Sequence, residues 1–155
     1  MKNSQEQRVA RLLATFNTRN PDEVEDALAG IELSEDDPAI GDDPAIGAAL
    51  VRLLEAPWHM RHEDIVRFLQ DMRYAPAVDA LERTAHIAYP YLDYDEFFGL
   101  ARKCTWALAD IGTPAAHAAL ERLSESDTPQ VAAYALKRLN SWNEELPRKG
   151  KPKTG

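Results

Sequence analysis

The run His59-Met60-Arg61-His62-Glu63-Asp64 puts four metal-capable side chains within six residues. Zinc takes three or four protein ligands in a closed or nearly closed tetrahedron, and the helical zinc signature spaces its histidines four apart with a glutamate next to the first. This run has neither that spacing nor that order. It reads instead as a helix start at His62, where Glu63 and Asp64 suit the positive end of the helix dipole. No metal ligand set is expected. His86 and His117 stand alone and are expected to be packing or surface residues. Cys104 is the only cysteine, so no intramolecular disulfide can form. It lies on an apolar stripe with Phe97, Ala101, Leu108 and Ile111, where a free thiol behaves as a small hydrophobe. No histidine stands beside it in sequence to activate it. There is no Gly-x-Ser-x-Gly elbow and no glycine-rich phosphate loop, and no carboxylate pair is set apart by apolar neighbours. The expectation is a non-enzymatic protein without a cofactor.

One aromatic stands out by position. With Leu108 at the centre of the apolar stripe and about 100° per residue, Trp106 falls on nearly the opposite side, with Asp95, Gly99, Arg102 and Asp110. A large aromatic set among charges is the usual composition of an interface anchor. The alternative is that Trp106 fills a seam between neighbouring helix pairs. Trp58 and Trp142 sit at helix ends, where they read as staples closing the core.

These residues need helices to hold them. Apolar spacing and breaker residues predict eight, over 5–17, 20–31, 44–55, 62–74, 76–88, 94–111, 114–124 and 129–141. Asn20-Pro21, Thr113-Pro114 and Thr128-Pro129 share one start device, an N-cap followed by proline at the first helical position. Asp93 and Glu96 resemble a capping box, and Gly112 suits a C-cap. The hexapeptide Asp36–Gly41 is repeated at once as Asp42–Gly47. The second copy is expected to cap the helix from Pro44, with the first in an enlarged acidic loop.

The helices fall into four antiparallel pairs, and the chain repeats itself. Phe68-Leu69-Gln70-Asp71-Met72 lines up with Ala107-Leu108-Ala109-Asp110-Ile111, and Asp79-Ala80-Leu81-Glu82-Arg83 with Ala118-Ala119-Leu120-Glu121-Arg122, both at an offset of 39 residues. A period in the range of about 20–50 residues is the signature of stacked arrays. The segments Ala101-Arg102-Lys103…Ala107–Pro114 and Val131…Ala135-Leu136…Leu139 resemble HEAT-like repeats, in particular the short variety first known from phycobilisome lyases. That resemblance implies an all-α solenoid over residues 1–146, with the second helix of each pair lining one face. Aligning second helices on Leu28, Leu69, Leu108 and Leu136 puts Asp26, Arg67, Trp106 and Tyr134 in one row. Asp22, Glu63, Arg102 and Gln130 form the next, with Asp71, Lys137 and Arg138 close by. This mixed strip is the expected partner-binding surface.

Charge narrows the partner. The tail Pro147–Gly155 holds four basic residues and no acid and is expected to be disordered. Removing those four from the 18 basic residues leaves 14 against 26 acidic ones, a net −12 over residues 1–146. Such a body repels phosphate backbones, which argues against nucleic acid, and attracts a basic protein. No apolar run is long enough for a membrane span or a signal peptide, so the cytoplasm is the expected compartment. The reading is a protein-binding helical-repeat module. Analogy with small acidic helical bacterial proteins suggests an immunity protein that neutralises a cationic toxin. The alternative is an enzyme or enzyme-accessory protein of the bilin-lyase type. A third class, nucleic-acid binding, would want a basic concave face.

Overall fold

The computed structural model describes residues 4–32, 43–92 and 97–144. Among them there are eight α-helices and no strand, so the chain is all-α. The helices are α1 (Ser4–Thr18), α2 (Pro21–Glu32), α3 (Pro44–Leu54), α4 (His62–Met72), α5 (Val78–Thr84), α6 (Gly99–Ile111), α7 (Pro114–Leu123) and α8 (Pro129–Asn140). Among the described residues no helix is long and apolar enough to cross a membrane.

The starts follow the local sequence. Asn20 accepts a hydrogen bond from the Asp22 N–H at 2.9 Å, Asp43 from Ala45 at 2.9 Å, and Thr113 from Ala116 at 3.2 Å. In each case proline follows, where its missing N–H costs nothing. The second hexapeptide copy therefore opens α3, as expected. Asp36–Gly41 and the basic tail lie outside the described residues. Thr128 lacks the side-chain cap that its sequence predicts.

Three expectations fail. The segment 76–88 is helical only to Thr84, after a 3-10 turn at Ala75–Ala77. Its end tightens through His86 N–H to Arg83 O and Ile87 N–H to Thr84 O, and Pro90 then holds Tyr89 out of the helical region. The helix expected from residue 94 starts at Gly99, because Phe98 takes a left-handed conformation (φ 56°, ψ 51°). Phe97, read as part of the apolar stripe, therefore precedes the helix and is 71% exposed. Leu136, aligned with the buried Leu28, Leu69 and Leu108, is exposed, and α8 buries Val131, Ala135 and Arg138 instead. Asp93 and Glu96 lie outside the described residues.

Each helix packs on its partner in sequence, α1 on α2, α3 on α4, α5 on α6 and α7 on α8. Between pairs, α1, α3, α5 and α7 meet one after another, and so do α4, α6 and α8. Leu12, Ile46, Leu50, Leu53, Leu54, Ile65, Leu69, Leu81, Leu108, Ile111, Leu120 and Leu123 are fully buried along this continuous core. Burying such a side chain contributes about 1.5–3 kcal/mol.

Polar contacts tie the pairs at the surface. Arg83 on α5 reaches back to Glu55 at 2.6 Å, and Arg122 on α7 reaches back to Glu82 with two bonds at 2.7 and 2.8 Å. The next glutamate in this series, Glu121, is held by His117 of its own helix at 2.9 Å. Between α4 and α6, Lys103 reaches Glu63 at 2.9 Å and the Gln70 amide donates to Asp110 at 2.7 Å. Each of the Arg122, Lys103 and Gln70 contacts joins residues 40 apart.

Candidate functional site

The loop from α3 into α4 fixes both histidines of the metal-like run. His59 Nε2–H donates to Leu53 O at 2.7 Å, and its Nδ1 accepts the Arg61 N–H at 3.0 Å. His62 Nε2–H donates to Ala56 O at 2.7 Å, and its Nδ1 accepts the Tyr91 hydroxyl at 2.8 Å. All four ring nitrogens are thus engaged by protein groups, and the carbonyls of Leu53 and Ala56, where α3 runs out into the loop, each take a ring donor. Both rings are buried, stacked 4.1 Å apart, with Tyr89 stacked on the far side of His62 at 3.9 Å. Burial pulls both imidazoles below their ordinary pKa, His62 to about 4, with the neighbouring His59 adding to the fall. Burial also raises the Tyr91 hydroxyl to about 12. These are neutral structural groups. Among the described residues no cluster of three metal-capable side chains forms.

Cys104 is fully buried among apolar side chains, and burial holds its thiol well above the ordinary pKa. A neutral, enclosed thiol is a poor nucleophile. Trp58 packs edge-on against Phe16 at 5.8 Å, and Trp142 meets His117 edge-on at 4.8 Å. Both lie against the core at the helix ends where the sequence puts them.

Trp106 has a different setting. It is partly buried where α6 meets α8, and the Arg138 guanidinium lies over its ring at 3.6 Å from the centroid. Arg138 is itself only 4% exposed, so a cation–π contact of this kind operates in a largely desolvated place. Around the pair opens a cleft of about 420 Å³, lined by Phe97, Arg102, Thr105, Trp106, Tyr134, Lys137 and Arg138. A second hollow of about 370 Å³ lies on the α4 side of the same indole, with Gln70, Gly99, Arg102, Lys103 and Trp106 in its wall. The Tyr134 hydroxyl donates to the Phe97 backbone carbonyl and fixes the cleft's far edge.

The structure therefore gathers Arg102, Trp106, Tyr134, Lys137 and Arg138, five of the residues singled out by sequence, around one opening. Trp106 is neither fully exposed nor sealed in a seam, since one ring face is covered and the indole still lines both hollows. Glu63 and Asp110 stand apart at the α4–α6 junction, bonded to Lys103 and Gln70. The Asp110 backbone carbonyl also accepts from Arg73 Nε at 2.7 Å. Arg67 pairs with Asp71 at 3.8 Å and lies over Phe68. Asp26 is exposed on α2, away from the cleft, and Asp95 lies outside the described residues. Glu63 and Asp110 thus bridge α4 and α6, Arg67 and Asp71 pair within α4, and Arg102, Trp106, Tyr134, Lys137 and Arg138 line the cleft. Phe97, Thr105, Lys103 and Gln70 were missed. Lys103 and Thr105 flank a residue already chosen, whereas Phe97 enters only because the helix starts late.

No protein-family profile matches the chain, and no curated protein or solved structure matches it.

Proposed function

We propose that this chain is a non-enzymatic protein-binding module built of HEAT-like helix pairs, engaging its partner at the cleft between α6 and α8. The observation that carries the reading is Trp106, a large aromatic held in one orientation by Arg138 and open to the cleft on its remaining surface. Interfaces concentrate their affinity in such tryptophan, tyrosine and arginine clusters. The ordered pairing of helices across α4, α6 and α8 supports the solenoid reading. Immunity against a toxin is one role in this class. Its support is the net charge of −12 over residues 1–146, which favours a cationic partner at the surface outside the cleft.

The test compares partners captured by the wild-type chain and by Trp106→Ala. The expected result is a partner lost from the variant, with affinity weakened at least about 30-fold by the removal of roughly 2 kcal/mol. The half-covered indole also supports the fold, so the melting temperature should fall by roughly 3–6 °C, equivalent to about 1–2 kcal/mol. Undiminished capture by a folded Trp106→Ala protein would remove the reading.

A second reading, an enzyme or enzyme-accessory protein of the bilin-lyase type, draws on the size of the cleft, about 420 Å³, which falls within the range of ligand sites. Tetrapyrrole absorbance that survives purification would favour it.

A further inference from the structure

The cleft has the opposite charge from the body that carries it. Among the described residues its charged lining is Arg102, Lys137 and Arg138, with no carboxylate. Two acids at the adjoining α4–α6 junction are already committed. Glu63 is bonded to Lys103, and Asp110 accepts from the Gln70 amide while its backbone carbonyl accepts from Arg73. Arg102 and Lys137 are exposed and make no ion pair with any described residue. Two available cations thus flank an indole whose cationic stacking partner is nearly buried. In a chain of net charge −8 this is a local reversal of sign.

We propose that the cleft recognises an acidic extended segment of a partner protein, whose carboxylates meet Arg102 and Lys137 while an apolar side chain between them lies against Trp106 and Phe97. This rests on the protein-binding reading and adds the chemistry of the partner's contact segment. A carboxylate gains charge-assisted bonds from both cations. Phe97, 71% exposed, lines the same cleft and gives the apolar side chain a second aromatic surface. A nucleic acid offers the same sign of charge but fits less well. Its phosphate chain extends beyond the cleft onto the acidic surface that dominates residues 1–146, where repulsion opposes it. A short acidic peptide stays within the cationic zone.

The test uses fluorescence anisotropy with three labelled probes on the full chain: a capped decapeptide alternating glutamate and leucine, its lysine–leucine counterpart, and a thymidine decanucleotide. The glutamate peptide is expected to bind and to weaken as salt rises from about 50 to about 300 mM. Arg102→Glu and Lys137→Glu should each weaken it about tenfold or more. Both side chains are exposed, so the melting curves of these variants should match the wild type. No binding of the glutamate peptide below about 1 mM, or equal binding by the doubly reversed protein, overturns the proposal. Binding of the lysine peptide that is lost in Trp106→Ala overturns the acidic specificity but leaves the protein-binding reading standing. Preferential binding of the decanucleotide assigns the cleft to phosphate and removes both. If neither peptide binds and partner capture is indifferent to Trp106→Ala, both fall together.

Discussion

His59 and His62 show what a buried imidazole does when it is given partners on both sides. Each ring donates one hydrogen bond to a carbonyl at the end of α3 and accepts one from Arg61 or Tyr91. A second proton would have to displace an incoming donor. The folded pKa values lie below the ordinary 6.5, so the unfolded chain binds more protons once the pH drops below that value. Stability is therefore full above about pH 7 and falls as pH decreases through 6.5 towards the folded value of about 4 for His62. Urea unfolding at pH 5 is expected to show a loss of about 1–2 kcal/mol relative to pH 7.5. An unchanged midpoint would mean that the two rings are not kept neutral by the fold. Thr84 presents the opposite case. It is fully buried, and its hydroxyl makes no hydrogen bond within the described structure. Thr84→Val replaces that hydroxyl with a methyl group of similar size, which removes a desolvated polar group. The variant should be more stable by about 1 kcal/mol in chemical denaturation, and a loss of stability would reveal a partner for the hydroxyl.

At the scale of the element, α3 and the end of α4 meet at Gly47. A Cβ there would lie 2.5 Å from Tyr74 Cε1 and 2.7 Å from its Cδ1 and Cζ. Gly47→Ala gains roughly 0.5–1 kcal/mol of helix preference but forces the ring aside, and overpacking of this kind costs about 1–3 kcal/mol. A net loss of stability is expected, and Tyr74→Ala in the same chain should abolish it. Equal effects in both backgrounds would show that the ring is not the obstacle. Helix starts were legible because an N-cap and proline act within a few residues: Asn20, Asp43 and Thr113 cap as their sequence predicts. Ends were harder. Gly112 closes α6 in the left-handed conformation that only glycine adopts freely. The 39-residue offset puts Arg73 at the same place in α4, and it too is left-handed, with φ 50°. Its side chain then reaches the Asp110 carbonyl, a use that no local pattern announces. The cleft was half legible for a related reason. Trp106, Arg102 and Lys137 follow from helical phase, whereas Leu136 and Phe97 do not, since α8 turns Val131, Ala135 and Arg138 inward and the left-handed Phe98 delays the start of α6.

For the whole molecule, the core is continuous across the pairs, and Leu108 lies within it, fully buried on the helix that touches α4, α5, α7 and α8. Leu108→Ala is expected to cost about 2–5 kcal/mol. Because each pair leans on the next, hydrogen exchange should speed up in both α4 and α8. Faster exchange confined to α6 would show that the pairs are less coupled than their packing implies. The surface contacts behave differently. An exposed ion pair contributes only about 0–1 kcal/mol, so Arg83–Glu55 and Arg122–Glu82 add little to stability. Their pattern has another consequence. Glu82-Arg83 and Glu121-Arg122 are the same dipeptide at the same place in consecutive units. The unit holding Glu82-Arg83 carries both halves of a joint, a guanidinium facing Glu55 before it and a carboxylate facing Arg122 after it. Such a unit is complementary to a copy of itself, head to tail, in the way that a monomer is to its polymer. Glu121 stands at the matching place on α7, where His117 of the same helix holds it.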